Sequence, residues 1–340
     1  MNGKEKIGEI RGISKNQNLE ADMEKILEEK LNDFEDKDKY LQKVKDMNML
    51  TILEKKQKED IKFTNEELRF LYEIESSIQG FGWGKDPRIE EIKSLRNSKK
   101  DIATIYGFDE KNIATEVNNI NDETLVFYGD LIWNSNAVPT CFSNLQFIFG
   151  DVDFRKLTSA LNLDSLKWMA GDCLFSDLPN SEGLKSLETI KGNLFFYSLV
   201  SANELGSLKY IGGNAYFHNL TDARGLLSLE YIGANAYFRN LNDARGLLSL
   251  EYIGGSAEFS SLFSANGLNS LKSIGGIAFF TTLTDARGLE SLQYISGDAY
   301  FDNLITTDGL DSLQEIGGRI KTPYFALKQL LLRNNSNHHK

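Results

Sequence analysis

The feature that most constrains this chain is a period of 21 residues. Leucine stands at Leu145, Leu166, Leu187, Leu208, Leu229, Leu250, Leu271, Leu292 and Leu313. Three residues on comes a column of Ile with one Met (Met169), and nine on a column of Phe from Phe154 to Phe301. Twelve on, from Leu157 to Leu304, the residue is again Leu every time. The segment DARGLLSLEYIG occurs twice, at Asp222–Gly233 and Asp243–Gly254. A repeat this short cannot bury its apolar edge alone, so copies must stack, like residue on like. The stretch from Leu125 to Trp133 (LVFYGDLIW) reads as a divergent first copy, one residue short on the way to the next. At about 4.8 Å per coil, roughly ten coils would form a rod about 45–50 Å long.

Each unit divides into parts. Alternation in "AYF" places Ala215 and Phe217 inside and Tyr216 outside, which predicts a short strand in a stacked parallel sheet. "LEYI" predicts a second extended piece, and "TDARGL" a corner with Ala223, Ala244, Ala265 and Ala286 inside. Gly–Asx steps precede the first strand (Gly171-Asp172, Gly192-Asn193, Gly213-Asn214). There Gly is expected to supply a positive φ, and the Asx side chain to bond nearby backbone. Gly225, Gly246, Gly267, Gly288 and Gly309 are expected to close the corner.

The block IGGNAYFHNLTDARGL resembles the variant leucine-rich repeats of bacterial proteins and the L-domain solenoids of receptor ectodomains. The resemblance spans roughly residues 125–320. It departs from that pattern in having Leu220 where the asparagine ladder of leucine-rich repeats sits. A shallow arc and a straight β-solenoid both remain open on this basis.

Before residue 120 the chain is charged, poor in Gly and helical in pattern. Apolar residues at helical spacing (Met23, Ile26, Leu27, Leu31, Phe34; Leu41, Val44, Met47, Leu50, Leu53) predict two amphipathic helices, with a partner-binding coiled coil as the alternative. Thr64 and Glu67 form a capping-box pattern, Gly80 reads as a stop, and Asp86-Pro87 as an N-cap with an N1 proline. SKKDIATIYG and DEKNIATEV predict two more short helices. The ELRFLYEI helix with GFGWGKDPRIEEI resembles blocks that precede leucine-rich-type repeats in uncharacterised bacterial proteins, and this resemblance brings no activity with it. GFGWGK lacks the spacing of a phosphate loop and reads as a turn anchored by Phe81 and Trp83. The expected architecture is α+β: a loose N-terminus (1–18), a helical domain that also caps the repeats (19–120), a solenoid (121–321), and an amphipathic capping helix with a loose tail (322–340).

The functional classes narrow by chemistry. The net charge of −11 disfavours nucleic-acid binding, which needs Lys and Arg to displace phosphate counterions. No run of about 18 apolar residues occurs, so no membrane-spanning helix is expected. The first 25 residues lack the apolar region of a secretory signal. Two cysteines do not make a disulfide scaffold. Together these predict a cytoplasmic protein, with export by a route that reads no such signal left open. His338, His339 and the two cysteines lack ligand spacing, and no nucleophile-elbow or zinc-protease motif occurs, so no cofactor, metal or catalytic residue is expected. Stacked Asp130, Asp151 and Asp172 lack a calcium-repeat pattern.

Binding is the better supported expectation. Phe195, Tyr197, Tyr216, His218, Tyr237 and Arg239 should cluster on three neighbouring coils, with Phe279 and Tyr300 further along the same face. Aromatic residues and Arg dominate interface hot spots. Equally, aromatics are good strand residues that stack in ladders. Tyr210, Tyr231, Tyr252 and Tyr294 form a second candidate column, and the Asp222/Arg224, Asp243/Arg245 and Asp285/Arg287 pairs a solvated corner stripe. The leading expectation is a non-enzymatic module binding a protein partner. The alternatives are a carbohydrate- or cell-surface-binding module, and an enzyme or effector with a site near Trp83, Lys85 and Arg88.

Overall fold

The computed structural model describes residues 37–81 and 84–323. They divide into two compact units between Glu110 and Lys111. The first predicted helix (Met23–Phe34), the Trp83 anchor, the His338/His339 pair and the predicted C-terminal helix (Thr322–Arg333), save Thr322 and Pro323, which are not helical, lie outside the described residues.

Among the described residues the first unit holds four helices: α1 (Lys37–Lys58), α2 (Asn65–Leu71), α3 (Arg88–Ser94) and α4 (Ser98–Tyr106). Leu50 and Leu53 of α1 are fully buried, whereas Leu41 is exposed. The capping box forms: Thr64 Oγ1 accepts from Glu67 N at 3.2 Å, and Glu67 Oε2 accepts from Thr64 N at 2.9 Å. Helix α2 stops at Leu71, well before Gly80, because Glu73 turns to φ 53. Asp86 Oδ1 accepts from Arg88 N at 3.0 Å, with Pro87 already in helical geometry, so the two residues start α3. Phe81 is not a core anchor; its ring meets Tyr40 at 5.7 Å and it stays 40% exposed. A partly buried ion pair ties α4 to the residues just before it. Arg96 Nε and Nη2 donate to the Asp101 carboxylate at 2.6 and 2.8 Å, and the guanidinium lies 4.1 Å from the Phe63 ring.

The second unit is a parallel β-solenoid built from strands of two or three residues. One sheet has eleven strands, beginning at Ile113–Ala114 and ending at Glu315–Ile316; the other has ten, from Leu131–Ile132 to Ile320–Lys321. Ten strands make nine steps, so about nine turns are stacked, just short of the ten expected. The segment DEKNIATEV is therefore not a helix: a 3-10 turn (Glu110–Asn112) leads into the first strand, which pairs with Val126 and Phe127. Val126 pairs with Phe147 and Leu131 with Val152, a full period of 21. Thr124, buried, takes the place of the column Leu, and the one-residue slip is confined to the corner where Ala137 meets Ser159.

The interior follows from the columns. In the central coils the Leu, Ile, Ala, Phe, Leu, Ala and Leu positions are all at 0% exposure (Leu229, Ile232, Ala236, Phe238, Leu241, Ala244, Leu247). Adjacent Phe rings stack, as Phe217 and Phe238 do at 5.1 Å and 7°. Each buried Phe contributes about 1.5–3 kcal/mol relative to exposure, before ordering entropy is subtracted.

The Gly–Asx step works differently from the sequence expectation. Gly171, Gly192 and Gly213 do not have positive φ. A Cβ on Gly192 would lie 2.4 Å from the Gly171 carbonyl carbon, so glycine is required by the coil beneath. The Asx side chain bonds not its own turn but the next coil. Asp172 Oδ1 accepts from Asn193 N, Asn193 Oδ1 from Asn214 N, and Asn214 Oδ1 from Asn235 N, at 2.7–3.0 Å. The same contact runs from Asp130 to Ser256, whose hydroxyl accepts from Ile277 N. An asparagine-type ladder is thus present, one corner away from the Leu220 position. At the other corner, where the glycines were expected only to close the turn, Gly267, Gly288 and Gly309 have positive φ (110, 103 and 93) and Gly225 and Gly246 do not.

Candidate binding face

The ten-stranded sheet turns one side chain of each strand inward and the next outward. Ala215 is buried and Tyr216 half-exposed; the same holds for Leu194 and Phe195, and for Ala236 and Tyr237. Because the pairing register is 21, Phe195, Tyr216 and Tyr237 stand directly above one another. Their rings stack at 4.7 Å centroid spacing with 9° between planes at both steps. The next outward column adds Tyr197 and His218, stacked at 5.2 Å and 20°. The His218 ring also meets Tyr216 at 5.7 Å and Tyr237 at 5.9 Å, both edge-on.

Arg239 closes one side of the cluster. Its guanidinium is 5.9 Å from the Tyr237 ring, and its Nε donates to Glu258 Oε2 at 2.8 Å. Five of the six residues are therefore joined by ring contacts, and Arg239 joins them through Tyr237. Phe279 and Tyr300 do not belong to this cluster. They form their own stacked pair at 4.9 Å and 12°, and Glu258, paired with Phe279 in register, separates them from Tyr237. The eight expected residues thus resolve into a six-residue cluster and a separate pair.

The electrostatics follow the packing. Partial burial lowers the His218 pKa, and the nearby Arg239 charge lowers it further, with Glu258 opposing. His218 is thereby held toward its neutral form. Burial raises the Tyr216 pKa, with Tyr237 and Tyr197 adding to the effect.

The second candidate column is also a ladder: Tyr210 and Tyr231 stack at 4.9 Å, and Tyr231 and Tyr252 at 5.1 Å. It ends at Ser273, and Tyr294 beyond it bonds Gln314 Oε1 instead. A third row went unread in the sequence. Tyr128, Phe149 and Trp168 meet at 6.0 and 4.8 Å over the first coils, at positions that the Leu and Ile columns do not mark. The corner pairs are local: Asp222 Oδ1 accepts from Arg224 N at 2.9 Å and Oδ2 from Arg224 Nε at 2.6 Å, within one coil. With Arg224 66% exposed, such a pair adds little to stability.

Lys85 and Arg88 are held by neighbours, Lys85 by Glu73 and Arg88 by Asp86 and Thr51. Cys141 and Cys173 are free thiols. Cys173 is fully buried in the inward column, and burial pushes its pKa well up. Among the described residues no three His, Cys, Asp or Glu side chains are grouped to hold a metal ion, and no helix is long and apolar enough to cross a membrane. No family model matches this chain, and no curated protein matches it in sequence.

Proposed function

We propose that this protein is a non-enzymatic interaction module that binds a protein partner through the outward face of the ten-stranded sheet. The observation that carries the reading is the Phe195, Tyr197, Tyr216, His218, Tyr237 and Arg239 cluster, six hot-spot-type residues on short strands locked by neighbouring coils. A pre-ordered aromatic surface loses little conformational entropy on binding. The stacking also favours protein over carbohydrate. Rings at 4.7 Å cover one another's faces and turn edges outward, whereas sugar C–H groups pack on open ring faces. In this reading the coils are a variant of the leucine-rich repeat, and the protein works in the cytoplasm, where Cys141 and Cys173 stay reduced.

The test is a quantitative pull-down from the native cell with wild-type protein and the Tyr216→Ala/Tyr237→Ala variant. Both rings are outside the core, so the variant is expected to fold and to lose its specific partner at least about tenfold in affinity. Equal recovery and affinity for both proteins would sink the proposed face. A glycan bound by wild type alone would favour the carbohydrate alternative.

A further inference from the structure

The helical unit holds a cleft of about 310 Å³ between the turn that follows α1 and the start of α4. Phe63 and Leu68 are its buried walls, at 3% and 2% exposure. Ile61 and Leu95 also line it, yet they stay 46% and 71% exposed. Between these apolar groups lies the Arg96 guanidinium, stacked on the Phe63 ring and held in place by Asp101. The cleft thus offers an oriented cation beside apolar surface that nothing in the unit covers.

Hydrogen-bond accounting shows what the polar part lacks. Its main side-chain acceptors are taken. Both Asp101 oxygens accept from Arg96, and Oδ2 also from Tyr72 Oη at 3.2 Å. Asn97 Oδ1 accepts from Lys100 N, and Gln57 Oε1 from Arg96 Nη1, each at 3.0 Å. The donors are not taken. Arg96 keeps one N–H on each terminal nitrogen. The side-chain amide nitrogens of Gln57 and Asn97 and the ammonium groups of Lys62 and Lys100 have no partner among the described residues. An acceptor-rich ligand is therefore favoured. Its charge follows from the lining, where Lys62, Arg96 and Lys100 face Asp60 and Asp101. One negative charge balances that set, whereas the near-double charge of a phosphate overshoots it. We propose that this cleft binds a small organic carboxylate, its oxygens on the free donors around Arg96 and its apolar body against Phe63, Ile61 and Leu95. Charge-assisted bonds to a carboxylate are the strong ones, and a guanidinium already fixed in position loses little freedom in making them. The helical unit then has a small-molecule function of its own, separate from the protein partner assigned to the sheet face.

The test is ligand-observed fluorine NMR on the full chain, with para-fluorobenzoate as the probe and para-fluorobenzamide as its uncharged counterpart. Saturable broadening is expected for the benzoate and none for the benzamide. Inorganic phosphate at the same concentration should displace little of the probe. Lys62→Gln/Lys100→Gln, at two exposed positions, should weaken the probe about three- to tenfold by removing two solvent-screened charges. Leu95→Ser, also at an exposed position, should weaken it about threefold or more by removing apolar contact. No saturable binding, equal binding of the benzamide, full displacement by phosphate, or unchanged affinity in either variant would each overturn the proposal.

Discussion

At the residue scale, glycine and histidine illustrate how the coil sets local chemistry. A Cβ at Gly225 would lie 1.7 Å from the Ala202 carbonyl oxygen, so no side chain fits without parting two coils. At Gly206 the nearest atom would be 4.0 Å away. Gly225→Ala is therefore expected to cost about 3 kcal/mol or more in urea unfolding. Gly206→Ala should be neutral or stabilising by about 0.4–1 kcal/mol through the unfolded chain. His218 supplies the pH-dependent case. Its folded pKa lies below the ordinary value of about 6.5. The folded state thus binds the proton less well than the unfolded chain does. Its contribution to stability is constant above the ordinary pKa and declines as pH falls through that value toward the lowered one. A proton NMR titration should show the low value directly, and Arg239→Gln should raise it by removing the facing positive charge. An unmoved or lower value in that variant would refute the assignment of Arg239 as a cause.

At the element scale, the strands are only two or three residues long and owe their order to neighbours. The Asx ladder is the part of that support that a single substitution can reach. Asn214 Nδ2 donates to Asn193 Oδ1 at 2.8 Å, while Asn214 Oδ1 accepts from both Asn235 N and Asn235 Nδ2. Asn214→Ala removes all three bonds and leaves half-buried donors unpaired. The expected loss is about 1–3 kcal/mol by chemical denaturation, and a change under about 0.5 kcal/mol would show the ladder to be decorative. The inward columns, both extended segments and the Ala corner were legible in the sequence, because a 21-residue period forces like to stack on like. The ladder was misread because a Gly–Asn dipeptide looks the same whether it bends locally or bonds a residue 21 positions away. The early end of the repeat was missed for a related reason. Ile113-Ala114 sits in a charged, helix-like stretch, and only its pairing with Val126-Phe127 makes it a strand. On the candidate face, the columns predicted which residues would meet. They could not show that Glu258 would pair with Arg239 and cut Phe279 and Tyr300 away from the rest.

At the scale of the whole solenoid, stability is a sum over coils and the contacts between adjacent coils. The two copies of DARGLLSLEYIG make a clean excision possible. Deleting residues 222–242 joins Thr221 to Asp243 and restores the same local sequence. The shortened protein is expected to fold, with the solenoid shorter by about 4.8 Å and a lower unfolding midpoint. A molten or aggregated product would show that coils are not interchangeable. There is one respect in which they are not. The side-chain amides of Asn235, Asn214 and Asn193 all donate toward the preceding coil, and the run ends on the carboxylate of Asp172. Aligned amide dipoles of this kind reinforce one another, and an anion is the favourable terminus for their positive ends. The amide run is thus polarised, with its acidic pole at Asp172 below Asn193, Asn214 and Asn235; beyond it the ladder position holds Ser256 and, at Asp298, a carboxylate again. A coil bearing Asn can be added after another Asn or an Asp, but an Asp inserted among the amides would set acceptor against acceptor. Duplication of an Asn-bearing coil therefore extends the amide run, whereas an Asp in its middle interrupts it.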